Sequence, residues 1–209
     1  MTARHLYTRS RAAAALALAA VVAGCGASAG PSDSATADGP GLQGLILKPA
    51  KQAPALALHN YTGARVSLAA LRGKAVLVTF VYTHCPNVCP LIVADLAAAQ
   101  RGLGAQAARE LQVVAVTVDP RRDTPSAIRT FLRARDALGR LDYLIGSRAQ
   151  LLPVWKAWDV GVSVDTKQVI AGHTAIIYGV SASGRLAVAY PSNVTPPQLI
   201  HDVPLLARM

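Results

Sequence analysis

Short apolar runs rich in β-branched residues punctuate the chain: AVLVTFV at 75–81, LQVVAVTV at 111–118 and LDYLI at 141–145. Each has the length of a strand rather than of a buried helix. Between them, near 91–101 and 125–138, apolar residues recur every three or four positions, as in a helix with one buried face. Strands alternating with helices predict a sheet with parallel pairs, covered by those helices. ALALHNYTGARVSL (55–68) alternates around a turn at 60–63 and reads as a hairpin near the start of the fold. TAIIYGV (174–180) and RLAVAY (185–190), joined across SASG, read as a second, antiparallel hairpin that closes the sheet.

Local signals sharpen the helices. Thr124 and Pro125 supply an N-cap and a first-turn proline, and Ile128, Phe131 and Leu132 form the inner face that follows. A further helix is expected over 149–159, with Trp155 and Trp158 packing in the core or at the domain edge rather than forming a ligand box. A last helix starts near 196–197, and Pro204 is expected to limit it. The folded part is expected to begin near Leu45.

The N-terminal pattern is different. Arg4, Arg9 and Arg11 precede the 13-residue segment AAAALALAAVVAG (12–24), which has the layout of an export signal. A membrane-spanning helix needs about 20 apolar residues, so this segment is too short to be one. The following tetrapeptide, VAGC (22–25), resembles the lipobox of bacterial lipoprotein precursors, which assigns Cys25 to acylation. The expected organisation is a signal peptide at 1–24, a lipidated cysteine and flexible tether at 25–41, and one domain at 42–209. Export to the extracytoplasmic face of a bacterial membrane follows as an expectation.

The formal charge is +10, and removing the three signal arginines from 21 basic residues still leaves a surplus of seven over 11 acidic ones. No Lys/Arg run exceeds Arg121-Arg122, which gives nucleic acid little support as a partner. Anionic headgroups, an acidic protein face or simple solvation of a basic surface all suit the charge.

With Cys25 assigned to lipid, two of three cysteines remain for chemistry, in THCPNVCP (83–90) just after the strand at 75–81. Four residues apart in regular helix, Cys85 and Cys89 would have Cβ atoms about 5–6 Å apart, which suits a shared soft metal ion. A disulfide needs about 3.5–4.5 Å and hence local unwinding. Pro86 and Pro90 allow that: the helix starts at one of them or between them, and Cys85 is either helical or in a loop. Either way the sulfurs sit near a positive helix end, which favours thiolate. Among the histidines, His5 falls in the signal, His59 in the hairpin and His201 on the last helix. His84 points away from Cys85 if the chain is extended there. His173, before the strand at 174–180, is a candidate third ligand, with a structural role as the alternative. Asp119 and Asp123 follow a strand, at the end of the sheet where sites gather. Asp119 is expected to fix its loop or support the site, and Asp123 to cap or ion-pair.

FVYTHCPNVCP (80–90), VTVDPRRDTP (116–125) and GHTAIIYGVSASGRL (172–186), in that order, resemble the Sco/SenC family of copper proteins, with the likeness extending over about 53–199. The resemblance implies an α/β thioredoxin-like fold, a central mixed sheet flanked by helices, here with the N-terminal hairpin. It implies that Cys85, Cys89 and His173 bind one copper ion per domain, as Cu(I), Cu(II) or both. It implies delivery of that ion to the binuclear CuA centre of a cytochrome c oxidase subunit, after receipt from an upstream copper donor. Asn87 and Gly172 depart from the acidic residues that many members carry there. The competing expectations are a thiol-disulfide reductase acting on exported cysteines and a lipoprotein domain that only binds a partner.

Overall fold

A computed structural model describes residues 41–164 and 170–209. The expected signal peptide, Cys25 and nearly all of the tether lie outside the described residues. In chain order the elements are β1 (Leu45–Gln52), β2 (Ala57–Asn60), β3 (Arg65–Ser67), β4 (Ala75–Val81), α1 (Val88–Gly102), α2 (Ala105–Arg109) and β5 (Leu111–Thr117). There follow α3 (Pro125–Arg133), β6 (Asp142–Ile145), α4 (Arg148–Ala157), β7 (Val162–Val164), β8 (Ile170–His173), β9 (Ile176–Val180), β10 (Arg185–Pro191) and α5 (Pro196–Arg208).

Eight strands form one mixed sheet in the order β1-β10-β9-β4-β5-β6-β2-β3, and β7 and β8 form a separate two-stranded ribbon. β4 pairs in parallel with β5 and antiparallel with β9. All seven of its residues are buried, which is why AVLVTFV carries no polar alternation. β5 and β6 are also parallel, so β4, β5 and β6 end together at one pole of the sheet. The cysteine loop after β4 and the aspartate loop after β5 therefore meet there.

The expected hairpin at 55–68 is β2–β3, with Ala57 opposite Ser67 and His59 opposite Arg65. Asn60 turns it by accepting from the amides of Thr62 and Ala64 at 3.1 and 2.9 Å, and Gly63 takes a φ of 94°. Trp155 and Trp158 are buried, and Trp158 packs 5.9 Å from Phe80 of β4, ring centre to ring centre.

Three expectations need correction. The helix expected over 125–138 stops at Arg133, because Asp136 and Gly139 both adopt left-handed backbone, with φ of 50° and 74°. Pro204 does not limit the last helix, which runs through it to Arg208. The proline removes one hydrogen bond, but Leu199, Val203 and Leu206 are buried along the same face, and α5 packs on α1 and β4. The strand expected at 174–180 begins only at Ile176, and His173 instead ends β8 of the separate ribbon.

Candidate metal centre

The loop from Tyr82 to Asn87 decides where the sulfurs go. Cys85 lies in the loop, held by a hydrogen bond from its amide to the Tyr82 carbonyl at 3.3 Å. Cys89 is the second residue of α1, so the helix starts between the two prolines. Pro90 then falls in the first turn, where its missing N–H removes no helical bond. The N-cap residue Asn87 makes no side-chain cap, and the Cys89 amide donates to Cys85 Sγ at 3.4 Å. One sulfur thus caps the helix that carries the other.

Polarity separates the two thiols. Burial raises the Cys85 pKa, but hydrogen bonds from the Cys89 thiol, the amides of Cys89 and Asn87 and the Tyr82 hydroxyl outweigh it, and the net shift is downward. Burial pushes the Cys89 thiol well up, and its bond to Cys85 adds to the effect. Cys85 is the stronger thiolate, with Cys89 as its proton-bearing neighbour. Tyr82 is pushed up to about 12 by burial first and then by Cys85.

His173 reaches this pair from β8. Its Nε2 stands 3.8 Å from Cys89 Sγ and 2.8 Å from the Phe80 carbonyl, and its ring meets Tyr82 edge-on at 5.4 Å. Burial lowers its pKa, partly offset by the bond to Phe80, which keeps a neutral imidazole at neutral pH. Among the described residues no three His, Cys, Asp or Glu groups form a ready-made metal cage. The His173 ring nitrogen is engaged by the Phe80 carbonyl instead. One ion with bonds of about 2.0 Å to nitrogen and 2.3 Å to sulfur spans the 3.8 Å between His173 and Cys89. Freeing the nitrogen takes a donor from the carbonyl of the fully buried Phe80, at a cost of about 1–3 kcal/mol. The two sulfurs and the imidazole are a soft donor set that fits copper once that bond is released.

Of the other histidines, His84 is exposed with Nδ1 2.9 Å from Thr83 Oγ1, His59 sits on β2, and His201 lies on α5 beside Asp202. Asp119 pairs with Arg122, and its carbonyl accepts from the amides of Arg122 and Asp123, so it fixes the loop after β5. Among the described residues Asp123 neither caps a helix nor forms an ion pair. Thr124 caps α3, accepting from the Ala127 amide at 3.2 Å. The Asp123 carboxylate, 3% exposed, accepts from the Thr83 amide and hydroxyl at 2.9 and 2.7 Å, from Thr117 at 2.6 Å and from Tyr143 at 2.7 Å. It ties the start of the cysteine loop to β5 and β6. Tyr82, Thr83 and Tyr143 are supports that sequence reasoning missed. The one signal was a tyrosine inside the apolar strand LDYLI, whose hydroxyl needs a buried acceptor.

The profile of the SCO1/SenC family matches residues 47–208, from within β1 to the end of α5. A candidate copper-binding protein of Stutzerimonas stutzeri is 33% identical over 147 residues, covering 70% of this chain and 68% of that one. The mitochondrial SCO2 homolog of Bos taurus is 34% identical over 136 residues, covering 63% of this chain and half of that one. Among solved structures, copper-bound ScoI of Bradyrhizobium japonicum superposes with a TM-score of 0.64 at 29% identity, over 75% of this chain and 99% of that one. Apo Sco1 of Thermus thermophilus does so with a TM-score of 0.69 at 27% identity, over 79% and 96%. The fold is thioredoxin-like, a mixed sheet with helices on its faces. Since the profile spans both cysteines, the aspartate loop and His173, this chain belongs to the SCO1/SenC family.

Proposed function

We propose that this chain binds one copper ion through Cys85, Cys89 and His173 and passes it to the CuA centre of a cytochrome c oxidase subunit during assembly. The observation that carries this reading is the convergence, at one end of the sheet, of two thiols and a neutral imidazole, with Nε2 3.8 Å from Cys89 Sγ. Its support from relatives is that the superposable ScoI of B. japonicum holds copper. Copper is cargo here, accepted from an upstream donor and released by ligand exchange, with no turnover of substrate. The chain acts from the extracytoplasmic face of a bacterial membrane, held there by acylated Cys25. Mass spectrometry of the mature protein will find its N-terminus at Cys25 with a lipid-sized addition. A mature N-terminus elsewhere, or an unmodified cysteine, rejects the anchor.

One observation favours a second reading, a thiol-disulfide reductase. A lowered Cys85 beside a raised Cys89 suits an attacking and a resolving thiol. The Cys85 thiolate would attack a partner disulfide and expel one partner thiolate. Cys89 would then close on Cys85, releasing the second. His173→Ala separates the readings. We expect it to weaken Cu(II) binding by about tenfold or more, because Cu(II) needs the imidazole, and Cu(I) binding less, because both thiolates remain. The rate of disulfide reduction will be unchanged. Equal copper affinity with and without His173 removes it from the site. A reduced wild-type chain that binds no copper overturns the first reading.

A further inference from the structure

The pole of the sheet opposite the cysteines holds a cleft of about 590 Å³. Its walls come from the starts of β5 and β6, the residue before β4, the β2–β3 turn, α1 and α2. Seven residues of β4, rising about 3.3 Å each, place it roughly 20 Å from the metal centre. Lys74, Arg109 and Arg140 line it, against one carboxylate, Asp142. That carboxylate is already occupied, accepting from Asn60 Nδ2 at 2.8 Å and Gln112 Nε2 at 2.9 Å. The cations are not.

Among the described residues, neither the Lys74 ammonium nor the Arg109 guanidinium has a hydrogen bond or ion pair. Arg140 uses only Nε, on the Asp136 carbonyl, which leaves its terminal nitrogens free. Glu110, next to Arg109, accepts from Gln106 and is not in the wall. Gln100, which is in the wall, holds a buried side-chain oxygen with no partner. Three cations facing one carboxylate leave a surplus of positive charge that suits an anion, and guanidinium forks match phosphate oxygens best. The lone Gln100 oxygen calls for a donor beside that anion. Inorganic phosphate alone would leave most of the volume unfilled.

We propose that this cleft binds a phosphate group attached to a hydroxyl-bearing organic moiety of glycerophosphate type. Two sources share that chemistry, a soluble glycerophosphate and the headgroup of phosphatidylglycerol in a membrane. If the source is the membrane, the domain is turned with its metal centre away from the lipid.

The full chain and a Lys74→Ala, Arg109→Ala variant are compared by amide chemical-shift titration with glycerol 3-phosphate and by cosedimentation with phosphatidylcholine vesicles, with and without phosphatidylglycerol. Arg109 is exposed and Lys74 half-buried, neither side chain has a hydrogen-bond partner to lose among the described residues, and circular dichroism checks that the fold is retained. An Arg129→Ala, Arg133→Ala chain, altered at exposed positions of α3, removes the same charge elsewhere. Binding of glycerol 3-phosphate that the cleft variant weakens at least tenfold, and the control does not, supports the site with a soluble source. Vesicle binding that phosphatidylglycerol strengthens over phosphatidylcholine alone, a gain the anchor at Cys25 does not explain, with the same selective loss of that gain, supports it with a lipid source. No binding of glycerol 3-phosphate together with no gain from phosphatidylglycerol, or equal losses in variant and control, overturns it. Copper affinity will be the same in all three chains, so failure here leaves the copper reading standing.

Discussion

A Cys89→Ser chain will bind copper at least about a hundredfold more weakly than the unaltered chain, and Cys85→Ser will do the same. Losing a group that only supports a metal ligand costs about 10–100-fold, and losing a soft ligand itself exceeds that. Serine is close to cysteine in size, so the fully buried site at Cys89 is refilled and the fold is kept. A serine hydroxyl at residue 85 still accepts from the Cys89 amide, so α1 keeps its cap. The loss is therefore one of donor chemistry rather than of structure. Competition with a chromophoric Cu(I) chelator measures it, with circular dichroism as the check on folding. A double variant that still takes up one tightly held copper ion would remove the sulfurs from the site.

The second large effect is on stability. Asp123→Ala will lower unfolding stability by about 3 kcal/mol or more, because it strips the acceptor from four donors at once. Three of these are the hydroxyls of Thr83, Thr117 and Tyr143, and the fourth is the Thr83 amide. Tyr143 is fully buried and keeps only a long contact of 3.4 Å to the Val81 carbonyl, so its hydroxyl is left without a good partner. With urea slopes of about 1–3 kcal/mol per molar, the midpoint should fall by about 1 M or more. Asp123→Asn will also destabilise, since an amide turns one accepting oxygen into a donor facing donors. A midpoint shift below about 0.3 M in the alanine chain would show that the network does not hold the loop.

The elements legible in the sequence are those whose burial leaves a pattern. β4, β5 and β6 are apolar runs because helices cover both faces of the sheet there, and β2–β3 announced itself through Asn60 and Gly63. β1 gave no such signal: LILKPAKQ is an edge strand, mostly exposed, interrupted by a proline and carrying Lys48 and Lys51. The run of α5 through Pro204 was hidden for the opposite reason, because tertiary packing overrides a local breaker. The spacing of Cys85 and Cys89 pointed to a shared site, but not to one sulfur capping the helix of the other. That depends on where the helix starts, which two prolines left open. The meeting of His173 with Cys89 was not in the spacing at all. They are 84 residues apart, joined by sheet order and by a ribbon that no periodicity foretold. Asp123 was misread because a carboxylate after a strand looks like a cap, whereas its real partners are hydroxyls from three other parts of the chain.

The ribbon has a consequence for how the two sides of the site open. Cys85 and Cys89 follow β4, bonded on both edges and buried throughout, and such a strand releases its amides only when the whole domain unfolds. His173 ends β8, which among the described residues pairs only with β7 and is tied at its base by the bonds between Gly161 and Thr174. A two-stranded ribbon has little stability of its own. The sulfurs and the imidazole thus belong to parts of the chain with very different opening free energies. Amide exchange will therefore be faster in β7 and β8 than in β4, and what holds the imidazole to the core is its own ring, through the Phe80 carbonyl and Tyr82.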